Sequence, residues 1–380
     1  MRLSRDPAAR RRLTFLVAAA GVALVIGVAI GSGAGGSGDD ADGPEPSPRE
    51  REAQREREVL AAVDRLSLRQ RVGQLTISSF DGTTRPDYIR RRLRDRETAG
   101  VILFERNGGD AAGWRRLTRS IQDAARGRAL IMVDQEGGDI RALPFAGPEA
   151  SQPLQGGAAD VRASARAAGR ELRAAGVNVN LAPVADLAKP GSVMASRSFG
   201  DDAAGVAAKV SASVEGMRAA RVAATAKHFP GLGGSAINTD DAPATVSGGI
   251  EADLEPYRAA IRARVPLVML SHALYPELDG AAIASQSPAV VTDLLRDELG
   301  FGGVIVTDSM EAQASLATGD LASAAVRAVE AGADLILMTG SGSWNEVFPG
   351  LLARARSDPK FRRRVRESAA RVLALQSVVR

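Results

Sequence analysis

Lys227 and His228 stand side by side between a short apolar run, residues 222–226, and a Pro/Gly-rich loop that carries Asp240 and Asp241. A cation, an imidazole and carboxylates at the end of a buried strand can hold a polar substrate, attack it and move protons. The arrangement recurs along the chain. Residues 129–133 end in Asp134-Gln135-Glu136-Gly137-Gly138, residues 177–183 reach Asp186, residues 266–271 reach His272 and residues 303–307 reach Asp308. Each group also has a purely structural reading. Asp308 could cap a helix that begins at Ser309, and Asp240 and Asp241 could form a polar turn before Pro243. Lys227 with His228 could pair internally with Asp186 or Glu136. His272 could be a core histidine bonded to backbone.

Eight apolar runs would position these groups: residues 73–80, 100–104, 129–133, 177–183, 222–226, 266–271, 303–307 and 333–338. Amphipathic Ala/Arg/Leu segments separate them, as expected of repeated βα units. The predicted fold class is α/β, a (β/α)8 TIM-type barrel in one globular domain over residues 51–380. A doubly wound open sheet would use similar units but would more often carry a phosphate-binding glycine fingerprint after its first strand. Here that strand leads into DGTTRPD at Asp81. Polar groups gathered at strand ends suit a barrel, whose catalytic residues stand where strands pass into βα loops. The helix-rich tail from Asn345 should complete the eighth unit and pack outside.

Cysteine is absent from the 380 residues, which removes disulfides, a thiol nucleophile and thiolate metal sites. With two histidines on different strands and no HExxH spacing, no metal site is expected, and with no nucleotide loop, no cofactor. The net charge is only +4 and no basic stripe is interleaved with aromatics, so no nucleic-acid partner is expected. Arg10, Arg11 and Arg12 precede 18 weakly polar to apolar residues, 13–30. That length is near the minimum for a bilayer span, and the basic flank places the remainder of the chain outside the cytoplasm. Residues 1–30 are therefore expected to be a membrane anchor, or a cleaved signal peptide that leaves the protein secreted. Residues 31–50 are expected to be a flexible linker.

The motifs are similar to those of the catalytic barrel of family 3 glycoside hydrolases, and above all to single-domain bacterial β-N-acetylhexosaminidases acting on peptidoglycan fragments. The resemblance covers nearly everything after Leu60. It rests on VGQL at Val72, GVILFERN at Gly100, VDQEGG at Val133, NLAPVADL at Asn180, SRSFG at Ser196, AKHFPG at Ala226, MLSHALYP at Met269 and VIVTDSMEA at Val304. It implies a retaining, exo-acting hydrolase of β-linked amino sugars, working as a monomer on a carbohydrate substrate. Asp308 would be the nucleophile. Asp134, Arg197, Lys227 and His228 would hold sugar hydroxyls, with Arg141 and His272 as further substrate contacts.

The chain departs from that pattern in two places. Relatives usually continue KHFPG with a second histidine and then an Asp-Ser-His group whose histidine is the acid/base; here Leu232 and Asn238-Thr239-Asp240 stand instead. Relatives also place an arginine three residues beyond the one that comes after DQEGG, whereas Arg141 sits one place early. Either Asp240, or its neighbour Asp241, serves as acid/base, or the protein is a weakened, sugar-binding pseudoenzyme.

Overall fold

Each of the eight expected runs forms a strand: β1 (Thr76–Ser78), β2 (Gly100–Ile102), β3 (Leu130–Val133), β4 (Val179–Asn180), β5 (Ala223–Phe229), β6 (Leu267–Leu270), β7 (Val304–Thr307) and β8 (Ile336–Leu337). The computed structural model describes residues 47–380. The expected span at 13–30 and the linker up to residue 46 lie outside the described residues. Among the described residues no helix is long and apolar enough to cross a membrane. Residues 48–50, expected in the linker, already belong to the helix Pro48–Asp64.

The strands pair in parallel in sequence order from β1 to β7, and β8 lies against β1 through Thr76↔Ile336 and Ile77↔Leu337. The barrel closes where Val306 bridges Leu335 and Thr307 N–H donates to the Leu335 carbonyl at 3.0 Å. Both faces of each strand are covered, which explains the unbroken apolar runs. Ile77, Ile102, Met132, Val179, Leu267, Met269 and Val306 fill the interior. Val101, Ile131, Val133, Val268 and Ile305 face the surrounding helices.

Local chemistry sets where the elements stop. The first expected strand shrinks because Ser67 and Gln70 form a reciprocal capping box that starts the helix Leu68–Gly73, consuming Gly73. The fifth runs past its expected end, so Lys227 and His228 are strand residues. The helix Ala111–Ala125 is capped by Asp110, which accepts from Gly113 N–H at 2.7 Å, and it buries Trp114, Leu117, Ile121 and Ala125 along one stripe. Gly108 permits that packing, since a Cβ there would lie 1.9 Å from the Trp114 indole nitrogen.

The tail differs from expectation in one respect. The helix Trp344–Ser357 completes the eighth unit outside the barrel, but the last helix, Pro359–Val378, turns beneath it. Its Val372 and Leu375, with Val379 beyond, join the interior cluster, and Gln376 donates to the Ala99 carbonyl just ahead of β2. This helix covers the N-terminal end of the barrel and, among the described residues, leaves the opposite end open to a substrate.

Candidate active site

That opposite end holds a cavity of about 550 Å³, lined by residues from the ends of seven strands and their loops. Small-molecule sites typically span about 300–1,000 Å³. Ile102, Leu181, Met269 and Leu337, part of the packed interior, form its floor. Asp134, Glu136, Arg197, Lys227, His228, Asp240 and Asp308 line its walls.

A buried ionic network organises one wall. Lys227 Nζ lies 2.6 Å from Asp134 Oδ1 and 2.7 Å from Glu136 Oε1. Arg197 grips Glu136 through two bonds, at 2.9 and 2.6 Å. Burial alone would raise the Glu136 carboxyl, but Lys227 and Arg197 outweigh it and hold it at about 2. Burial likewise works against the Lys227 ammonium, and Asp134 and Glu136 reverse that, raising it above its ordinary value. Two cations balanced by two carboxylates, with Asp134 partly open to the cavity, form a rigid rack of charge-assisted donors and acceptors suited to sugar hydroxyls.

His228 is fixed from behind. The fully buried Asp186 accepts from His228 Nδ1 at 2.7 Å and from the Leu232 backbone N–H at 2.7 Å. The ring's other nitrogen then faces the cavity, with Nε2 3.9 Å from Asp308 Oδ2. Both internal pairings weighed from sequence thus occur, Lys227 with Glu136 and His228 with Asp186, and they coexist with cavity-facing roles.

Asp308 comes directly after β7. Its backbone N–H donates to the Leu270 carbonyl at 3.1 Å, and its Oδ1 accepts from Ser309 N–H at 2.8 Å. It caps no helix, since the next helical residues begin at Gln313. Burial pushes the Asp308 carboxyl up, yet His228 and then Lys227, together with the Ser309 N–H, leave it below its ordinary value. It is a carboxylate held ionised at the end of a strand, as a nucleophile must be.

Asp240 sits across the loop beyond β5. Burial first and the Asp308 charge second raise its carboxyl above the ordinary value. Asp240 is nonetheless exposed, so the upward push grows once a bound sugar displaces water around it. The loop is anchored rather than loose. The Gln313 and Ala314 N–H groups donate to the Asp240 and Thr239 carbonyls at 3.2 and 3.1 Å, which ties it to the segment after Asp308. Gly233 lets it pass close to the end of β4, where a Cβ would meet the Leu187 carbonyl at 1.7 Å. Asp241 does not line the cavity.

Two expected substrate contacts are not brought to the site. Arg141 donates to the Gly138 and Pro144 carbonyls of its own loop, and Ile140 takes the place on the cavity wall. His272 is fully buried, with Nδ1 2.7 Å from Ser285 Oγ and Nε2 2.9 Å from the Ser309 carbonyl. A carbonyl only accepts, so Nε2 carries the proton and Nδ1 accepts from the hydroxyl. Burial lowers the ring's basicity, and its two bonds steady the turn that presents Asp308. Several lining residues were not candidates from sequence, among them Phe104 and Arg106 beyond β2, Asn238, Ser309 beyond β7 and Thr339 beyond β8. All but Asn238 obey the strand-end rule that revealed the others.

A closed parallel barrel whose C-terminal rim gathers paired carboxylates, cations and an imidazole is the frame of a sugar hydrolase. The chain belongs to glycoside hydrolase family 3 and is a glycosidase: the family model described as "Glycosyl hydrolase family 3 N terminal domain" matches residues 67–375. It is similar to a β-hexosaminidase of Xanthomonas oryzae pv. oryzae, with 34% identity over 260 residues covering 65% of this chain and 78% of that one. It also resembles the structure of a family 3 β-N-acetylglucosaminidase from a Paenibacillus species, at TM-score 0.78 and 35% identity over 83% of this chain. The match spans 63% of that protein's length. A β-N-acetylhexosaminidase from Beutenbergia cavernae aligns at TM-score 0.75 and 35% identity, over 82% of this chain and 99% of that one.

Proposed function

We propose that the protein is a retaining, exo-acting β-N-acetylhexosaminidase-like enzyme that removes terminal amino sugars from cell-wall fragments. The observation that carries this reading is the pair of carboxyls in one cavity, Asp308 pushed down and Asp240 pushed up. Environments that drive two carboxyls apart assign one to attack and the other to proton donation. Asp308 attacks the anomeric carbon as the glycosidic C–O bond breaks, and the leaving oxygen takes the Asp240 proton. Asp240, now ionised, then removes a proton from water as that water attacks the same carbon and frees Asp308. The floor of packed apolar side chains supports attack on a chain end. The named relatives support an N-acetylated sugar.

The decisive assay compares aryl β-glycosides, among them N-acetylglucosaminide, glucoside and xyloside, with wild type and Asp308→Asn. A burst and then slower turnover is expected of wild type. The variant should lose at least about four orders of magnitude in kcat with its melting temperature little changed. Unchanged turnover would refute the assignment, and tight sugar binding without release by the wild type would favour the binding-only reading raised by Asn238-Thr239-Asp240 in place of a group with an acid/base histidine. We further propose a monomer held at the outer face of the membrane by residues 13–30. Fractionation of the intact chain checks this, and recovery in the cytoplasmic fraction would reject it.

A further inference from the structure

At the sealed end of the barrel, opposite the sugar cavity, lies a second cleft of about 590 Å³. Seven arginines line it against a single acid, Glu58. Arg96 and Arg128 stand just ahead of β2 and β3 and are half-buried, while Arg126 and Arg380 are exposed at its edge. Within the cleft Arg94 is neutralised by Asp95, as elsewhere Arg106 is by Asp81, Arg162 by Glu215 and Arg366 by Asp64. Among the described residues no carboxylate side chain lies within 4.0 Å of the guanidinium of Arg96, Arg126, Arg128 or Arg380. Burial, and after it repulsion from Arg96, Arg380 and Arg126, pushes the Arg128 guanidinium down to about 10.

A helix C-terminus favours a nearby cation, and this accounts for single arginines here. Arg96, Arg126, Arg221 and Arg264 all adopt the left-handed conformation, with φ of 55–61°, in loops that lead from helices into strands. Arg221 and Arg264, however, do not line the cleft. The repeated turn explains one arginine per loop and leaves unexplained why Arg96 and Arg126 converge with Arg128 and Arg380. An unbalanced cationic cluster costs stability by self-repulsion and is relieved by a bound anion. Planar guanidinium forks match phosphate oxygens two at a time, and several at once suit a phosphate better than a carboxylate, which one arginine satisfies.

We propose that this cleft is a binding site for a phosphate group, either free or as the headgroup of an anionic phospholipid. The test uses the full chain in a non-ionic detergent at about 0.15 M salt, where weak surface attraction is screened. Titration calorimetry with inorganic phosphate and with glycerophosphoglycerol, a soluble headgroup, should give saturable binding of at least one, and the tighter of the two identifies the source. Arg128→Gln and Arg380→Gln should each weaken it about ten-fold, the loss of one charge-assisted pair. Arg221→Gln, with the same turn outside the cleft, should bind as wild type does. Should Arg128→Gln fail to fold, Arg380→Gln, at the exposed last residue, carries the test. Absence of saturable binding by both ligands, or binding undiminished in a folded variant of either arginine, overturns the proposal.

Discussion

Replacing Asp240 by Asn removes the proton donor and keeps the side chain's size and its loop contacts, because those run through the Asp240 and Thr239 backbone carbonyls. General acid catalysis contributes about 10²–10⁴ in rate, or about 3–5 kcal/mol of barrier. The full amount is expected for an alkyl or sugar leaving group. A dinitrophenyl leaving group departs without help and should lose less than about ten-fold. The pH profile supplies an independent readout. Asp308, whose carboxyl is lowered, must be ionised to attack, so activity falls as pH drops through its pKa, below the ordinary 3.8. Asp240, whose carboxyl is raised, must be protonated to donate, so activity falls as pH rises through its pKa, above 3.8. The wild-type profile of kcat/KM is therefore a bell displaced to the acid side, and Asp240→Asn should flatten the basic limb alone. Equal losses for good and poor leaving groups, or a basic limb that survives the substitution, would show that another group donates the proton.

Two further substitutions probe the frame around the carboxyl pair. Glu136→Ala leaves Arg197, partly buried, without its carboxylate partner and strips the buried Lys227 of one of two; it should destabilise the fold by about 3–5 kcal/mol in urea unfolding. Because the Glu136 carboxyl is lowered from 4.5 to about 2, its contribution of about 3 kcal/mol is complete above pH 4.5 and disappears as pH falls towards 2. Glu136→Gln should remove that part of the acid sensitivity, and an identical acid transition in the variant would contradict the pairing. His272→Phe takes away the bonds to Ser309 and Ser285 without opening a void. As a positioning residue it should cost about ten-fold in kcat with KM within about two-fold, whereas a dominant rise in KM would restore it to the substrate-binding set.

Much of this site could be read from sequence because a barrel concentrates function at strand ends, and apolar runs mark strand ends well. Asp134, Lys227, His228 and Asp308 follow that rule, whereas Arg106 and Thr339, which also lie just beyond strands, carry no reactive pattern in the sequence that would single them out. What sequence could not supply is side-chain direction across loops. Arg141 lies one residue after a cavity-lining Ile140 in a two-residue strand, and alternation along a strand turns it away. His272 also stands after an apolar run, but Ser285, thirteen positions later, closes over its ring. The underside of the barrel shows the same limit. The final helix has apolar Val372 and Leu375 like any amphipathic helix, and nothing in their spacing says that they plug a barrel end instead of covering its side.

The proposed use of a carboxyl, in place of an imidazole, as the proton donor is chemically coherent. An imidazole holds a proton near neutral pH without assistance, whereas a carboxyl does so only if its surroundings penalise the charge. Here the surroundings do. The Asp308 charge opposes a second negative charge in the same cavity, and Leu232 adds an apolar wall alongside Met269 and Phe104. A histidine at position 232 would have favoured an ionised Asp240 and weakened it as an acid. The Leu232 backbone N–H meanwhile donates to Asp186, the residue that orients His228, so the substitution leaves the opposite wall in place. On the proposed reading Leu232 and Asp240 act together: an apolar side chain at 232 adds no positive charge that would favour the ionised carboxyl, and proton donation needs Asp240 protonated.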